Sequence, residues 1–284
     1  MGASCRKKWL YMVKVILLMN FSILPLVASE RLTWAVMDLP PRYILAGENK
    51  GKGIADQQLH IYQEQMPEYE FEFIEMNFSR IVKNMKNGSS LCTAALFKTP
   101  EREAFMHFSI ANDLLLPEAI YIRKKDWEQF GQVAALSLKS FLSGASLKGG
   151  VQRGRTYTKE VDLILQKHEQ IHRVSRSAQL LTMLIRERLD FVLEAPLTMG
   201  YLMNDEAKAQ LTSMYILEYQ PYVNIYVACT KNSQGFKVIT QINEILQRQR
   251  PLAQYRKIVE QWIPHKDRKH FRKLYNKELL SIIR

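Results

Sequence analysis

The sequence predicts an α/β protein of two lobes, each a mostly parallel sheet flanked by helices. Three observations carry this. Strand-like and helix-like segments alternate along the chain, an order that lays strands parallel and covers both sheet faces with helices. The segments are too numerous for one sheet, and the length suits two units of about 100 residues each. No long Pro/Gly/Ser-rich linker separates the halves. The chain is therefore expected to cross between lobes through strands, and such a hinge places a ligand in the cleft.

The first segment reads as a cleaved leader, with an uncleaved anchor as the alternative. Arg6, Lys7, Lys8 and Lys14 make a basic start with no acid, a mostly apolar run covers residues 13–27, and Ala28 and Ser29 close it before Glu30. That order is the layout of a secretory signal peptide. The run is shorter than the roughly 20 apolar residues of a membrane helix, and Asn20, Ser22 and Pro25 interrupt it. The mature chain, about 255 residues long, is expected to start near Glu30 and to be exported.

A strand is predicted at 32–37, broken by Asp38-Leu-Pro-Pro-Arg-Tyr43. After a Gly- and Lys-rich turn, residues 54–65 have apolar positions at helical spacing, Pro67 ends that run, and 69–74 alternates like a strand. Asn77-Phe-Ser starts a helix through Met85 that stops at Asn87-Gly88, and a strand follows at 91–96. Further strands are expected at 119–122, near 150–152, at 190–193 and at 223–229. Further helices are expected at 158–167, 178–188, 236–249 and 251–262.

Composition narrows the function. The formal net charge is +12, and loss of the leader, with four positive charges and no negative one, brings it to +8. Positive charge is dense after His265, where Lys266, Arg268, Lys269, Arg272, Lys273, Lys277 and Arg284 outnumber Asp267 and Glu278. Two readings stand: a patch for acidic lipid or a partner, or the solvated face of a terminal helix carrying Phe271, Leu274 and Leu279. No nucleic-acid-binding motif is present. Cys5 leaves with the leader. Cys92 and Cys229 could pair in an oxidising compartment, but each sits in an apolar strand-like segment and two buried free thiols are expected. No metal is expected: His168 and His172 are four apart without a third ligand and read as a polar helix surface. G-x-S-x-G, P-loop and H-E-x-x-H signatures are missing, so neither an enzyme nor a cofactor is indicated.

Two constellations suit binding. Phe97-Lys98-Thr99-Pro100-Glu101-Arg102 lies just past a strand's carboxyl end, where Arg102 offers a planar fork of donors to a carboxylate. Gly150-Val-Gln-Arg-Gly154-Arg155-Thr156-Tyr157-Thr158 is strand, turn and helix start, where free N–H groups attract negative charge. Phe78 supplies an aromatic wall or packs in the core. Glu194, at an apolar strand end, reads as a ligand contact or a satisfied buried acid.

Taken in order, Gly53-x-x-Asp56, Phe78-Ser-Arg-Ile with Gly88, Thr99-Pro-Glu-Arg102, His107-Phe-Ser109, Leu147-Lys-Gly with Gly150-Val-Gln-Arg-Gly-Arg-Thr156, Arg188-Leu-Asp190-Phe-Val and the closing run to Trp262 resemble family 3 extracellular solute-binding proteins. The resemblance covers nearly all of the mature chain. It implies a type II periplasmic binding fold, with lobe one at 30–115 plus 222–284 and lobe two at 116–221. It further implies a periplasmic monomer that captures a small polar solute and docks on an inner-membrane ABC permease or a sensor. Arg102 would hold the ligand carboxylate, Thr156 a helix-start contact, Asp38 and Tyr43 the first loop, and Phe78 a stacking face, with Phe97 and Arg155 beside them. Two departures stand out. Ala94-Ala95-Leu96-Phe97 replaces the usual hydroxyl residues before that Arg, and Glu194-Ala195-Pro196 stands where such receptors carry an Asp for the ligand ammonium. Both point away from an ordinary α-amino acid, towards a divergent branch with another small polar or acidic solute, or one that has lost transport altogether.

Overall fold

A computed structural model describes residues 29–143, 146–153, 155 and 157–281. The predicted signal peptide, apart from Ser29, lies outside these residues, as do Gly154 and Thr156. Among the described residues, twelve strands form two six-stranded sheets. The first holds β1 (Glu30–Val36), β2 (Tyr69–Glu75), β3 (Cys92–Leu96), β4 (Met106–Phe108), β5 (Asp113–Leu115) and β12 (Val223–Thr230). The second holds β6 (Ala119–Arg123), β7 (Ala135–Leu136), β8 (Gly149–Gln152), β9 (Ile171–Val174), β10 (Phe191–Glu194) and β11 (Leu211–Ile216).

The sheets are mixed rather than mostly parallel. β1 runs parallel to β2 and β3, and β8 runs parallel to β9 and β10. β12 is antiparallel to β3, β4 and β5, and β6 is antiparallel to β10 and β11. The cause is the crossing itself. The chain leaves the first sheet on β5 and returns on β12, which pair side by side in opposite directions. Each lobe thus carries one strand, β12 or β6, that runs against its neighbours and that single-sequence periodicity does not orient.

Local signals place the helices of lobe one. α1 (Ile54–Gln65) starts after Gly53, whose N–H donates to Asp56 Oδ2 at 3.0 Å, and the same oxygen accepts from Ile44 N–H at 3.0 Å. α2 (Phe78–Lys86) is capped by Asn77, whose Oδ1 accepts from Arg80 N–H at 2.9 Å. α3 (Pro100–Glu103) is one short turn capped by Thr99.

Lobe two adds α4 (Leu138–Leu142), α5 (Lys159–Lys167), α6 (Ser177–Ile185), α7 (Pro196–Leu202) and α8 (Asp205–Gln210). On β10, Phe191 and Leu193 pack on one face of the sheet with Ile120 and Val161, while Val192 packs on the other with Leu180 and Met199. Burial of both faces is what helices on two sides require.

α9 (Ser233–Gln249), α10 (Ala253–Glu260) and α11 (His265–Leu274) complete lobe one, followed by a π-helical turn at Tyr275–Leu279. Phe271, Leu274 and Leu279 are buried in the lobe-one core, so the basic run is the outer side of a packed terminal helix. Two expectations change. Cys92 and Cys229 form a disulfide instead of two free thiols, because they sit opposite each other on β3 and β12 with Cα atoms 4.0 Å apart. His168 and His172 do not share a helix. α5 ends at Lys167, His168 follows it with its Nε2 2.7 Å from the Leu147 carbonyl oxygen, and His172 lies on β9.

Candidate functional site between the lobes

Strand pairing puts each of the two binding constellations at a strand end on the hinge side of its own lobe. In lobe one, Leu96 at the end of β3 is opposite Tyr226, near the start of β12, where Val223 pairs with Leu115. In lobe two, Glu194 at the end of β10 is opposite Ala119, the first residue of β6. The carboxyl ends of β3 and β10 therefore both face the crossover segments at 116–118 and 217–222. The loops that follow these ends, and the loop after the parallel β8, open at the hinge, as ligand loops do in open α/β sheets.

The lobe-one side carries a cation among aromatic rings. Thr99 Oγ1 accepts from Arg102 N–H at 3.3 Å, which fixes the turn of α3. Arg102 Nη1 then donates to the Phe97 carbonyl at 2.7 Å, and its guanidinium lies 5.0 Å from the Phe78 ring centroid. That contact is a cation–π stack, and it leaves the remaining guanidinium donors unused by it. Among the described residues no carboxylate pairs with Arg102; its neighbour Glu103 is held by Lys98 at 2.8 Å. Burial, opposed by Glu101, pushes the Arg102 pKa below its usual value. Phe78 and Phe97 are 42% and 47% exposed, large apolar surfaces left open beside that charge. Asp38 is exposed just after β1.

Tyr43 sits beneath this surface. It is fully buried, its hydroxyl accepts from Ala94 N–H at 3.0 Å, and Thr93 Oγ1 lies 3.3 Å away. Next to it, Arg42 makes two bonds to buried Asp113, at 2.7 and 3.1 Å, and Gln58 donates to the same acid at 2.8 Å. The first loop is thus anchored into the lobe-one core next to the strand that leaves for lobe two.

The lobe-two side is arranged differently. Glu194 is fully buried, and both of its oxygens are engaged. Oε1 accepts from Arg155 Nη1 at 2.5 Å and from Ala195 N–H at 2.8 Å, while Oε2 accepts from Ser177 Oγ at 2.6 Å. The other terminal nitrogen of Arg155 donates to Glu118 Oε1 at 2.7 Å. Burial opposes the Arg155 charge, but Glu194 and Glu118 outweigh it and hold its pKa above the usual arginine value. Tyr157 and Tyr219 flank the group, and both phenols are pushed up, first by burial. Thr156 lies outside the described residues.

The site residues singled out in the sequence therefore form two groups: Arg102 with Phe78 and Phe97, and Arg155 with Glu194. Glu118, Ser177 and Tyr219 were not legible. Glu118 follows Pro117 in a crossover with no periodic pattern, and only the fold brings it to Arg155. Among the described residues no cluster of His, Cys, Asp and Glu suits a metal, and no helix is long and apolar enough to cross a membrane.

The sequence profile of the bacterial extracellular solute-binding proteins, family 3, matches residues 32–265. The chain belongs to this family. Three solved structures show that this solute-binding protein shares its two-lobed fold. An ancestral cationic amino acid solute-binding protein, AncCDT-1, aligns with a TM-score of 0.66 at 16% identity, covering 84% of this chain and 97% of that one. The amino acid ABC transporter substrate-binding protein AbpA from Streptococcus pneumoniae, bound to L-arginine, aligns at 0.59 and 18% identity, covering 82% and 96%. The VFT2 domain of BvgS from Bordetella pertussis aligns at 0.56 and 18% identity, covering 82% and 93%. None of the curated proteins matches the sequence of this solute-binding protein.

Proposed function

We propose that the protein is a periplasmic receptor that captures a small polar or anionic solute between its lobes and delivers it to an ABC importer. The observation that carries this reading is Arg102: a half-buried guanidinium, stacked on Phe78, with no acidic partner among the described residues, at the hinge-facing end of lobe one. An arginine placed so is short of a counter-charge, and a ligand carboxylate supplies it in bidentate form. Phe97 and Asp38 border the ligand on the lobe-one side, and Arg155 and Glu194 define the lobe-two side. Tyr43 supports the first loop from the core. A solute touched by both lobes favours the closed state, because only that state makes both sets of contacts.

The cleft is read as binding rather than catalytic. Glu194 has its oxygens committed to Arg155, Ser177 and the Ala195 amide, so it is not poised to move a proton. Arg102→Ala is expected to weaken capture of the solute by about 2–5 kcal/mol, with Arg102→Lys intermediate, measured by calorimetric titration. Unchanged affinity in Arg102→Ala would remove this assignment.

A second reading is a sensory or accessory periplasmic protein that works with a signalling or envelope partner without transport. The likeness to a periplasmic domain of BvgS favours it, since there the same fold is one part of another protein. Cross-linking in cells separates the two: capture of an ABC permease supports delivery, and capture of a different membrane protein supports the alternative.

A further inference from the structure

Lobe two places one group of paired charges beside the hinge. Glu118, from the crossover ahead of β6, and Glu194, from the end of β10, hold the two terminal nitrogens of Arg155 at 2.7 and 2.5 Å. The guanidinium lies 5.8 Å from the Tyr157 ring centroid, and Ser177 supports Glu194 from the start of α6. Two carboxylates under an aromatic ring are the chemistry that receives a guanidinium or ammonium group. Here the chain supplies that group itself. Arg155 comes from the loop between β8 and α5, so the occupant is borne by neither strand nor helix. Glu194 is fully buried, and the Arg155 and Glu118 side chains keep 26% and 18% exposure, so the exposed part of the site is at Arg155 and Glu118. A second cation entering there would meet Arg155 as a like charge in a partly dry site.

We propose that Glu118 and Glu194 form a cation site filled by Arg155. This internal occupant directs the cleft to small carboxylates that carry no ammonium or guanidinium group. The site itself stands on the lobe-two geometry; the selectivity rests on the solute-capture reading.

The test removes the occupant. In the chain starting at Glu30, Arg155→Ala and Arg155→Met are expected to melt lower than the parent protein. Both should then be raised by millimolar guanidinium chloride or L-arginine, relative to sodium chloride of equal ionic strength. Near 100 times the dissociation constant the rise should be roughly 5–10 °C. The parent protein should not respond, and adding Glu194→Gln to either variant should abolish the response. If Arg155→Ala does not fold alone, its refolding yield with guanidinium against sodium gives the same readout. Failure of both variants to respond to either cation would overturn the site. Selectivity is read on the parent protein with matched pairs, L-malate with L-aspartate and L-lactate with L-alanine. Binding of the hydroxy acid alone in a pair supports it, and equal binding of the amino acid overturns it. A guanidinium response in the variants, with no carboxylate bound by the parent, would keep the cation site and remove the solute-capture reading instead.

Discussion

The Tyr215 hydroxyl donates to Asp267 Oδ1 at 2.8 Å and so joins β11 of lobe two to α11 of lobe one. Beside it, Lys266 Nζ donates to the Ser213 carbonyl at 3.0 Å, a second bond across the same junction. Asp267 is buried, and its other oxygen has no hydrogen-bond partner among the described residues. The lobes are thus tied by the C-terminal segment as well as by the two crossovers.

Burial raises the Asp267 pKa from its ordinary value of 3.8, against the opposing pull of Lys266 and the Tyr215 hydrogen bond. The folded state therefore favours the protonated acid. The stability this contributes is fully present below 3.8 and is lost as pH rises through the raised folded value. Asp267→Asn keeps an acceptor for Tyr215 without the charge. Its melting temperature, followed from pH 3 to 7, should not show this decline; parallel curves for the two proteins would refute the assignment. Tyr215→Phe should cost about 1–3 kcal/mol, because it leaves a buried acid without its donor.

Gly200 lies where α7 meets the end of α10. A Cβ placed there would come 1.9 Å from the Trp262 carbonyl oxygen, a backbone atom. Gly200→Ala must push the segment carrying Trp262 away from lobe two. We expect a loss of about 1–3 kcal/mol or more in urea unfolding. No change in midpoint would show that the contact is not tight in solution.

The Cys92–Cys229 bond closes a loop with a sequence separation of 137 residues. Loops of this length give a disulfide much of its effect on the unfolded chain. Replacing both cysteines with alanine should cost about 2–5 kcal/mol, and dithiothreitol should lower the unfolding midpoint of the parent protein but not of the variant. Equal midpoints with and without reductant would contradict the bond.

Asp113 is fully buried and takes its charge partner from Arg42. Asp113→Ala strands that guanidinium in the core and should cost about 3–5 kcal/mol. A smaller penalty in the double variant Arg42→Met/Asp113→Ala is expected, since it removes both charges. The double-mutant cycle in urea checks both values.

Much of the fold was legible where one element carries its own signal. Gly53 and Pro67 bracket α1, and Asn77 with Asn87-Gly88 brackets α2, so the predicted bounds agree with the structure within a residue or so. Short strands such as β4 and β5 were not legible, because three residues are too few to show alternation. Their place is set by pairing with β12, more than a hundred residues away. The same limit hid the disulfide and the Glu118–Arg155 pair, both of which join residues that only the fold brings together. The place of Arg102 just past β3 was legible because its loop follows a strand end directly. Arg155 was legible as a cation in the loop after β8, but not as the partner of Glu194.

The proposed function requires a solute that bridges the lobes through Arg102. Thermal melting of the chain starting at Glu30, against small carboxylates, amino acids and oligopeptides, tests it most directly. A solute present at about 100 times its dissociation constant should stabilise the fold by ~2.7 kcal/mol, and Arg102→Ala should remove that shift. A panel without any shift, or a shift that survives Arg102→Ala, would rule out solute capture through Arg102.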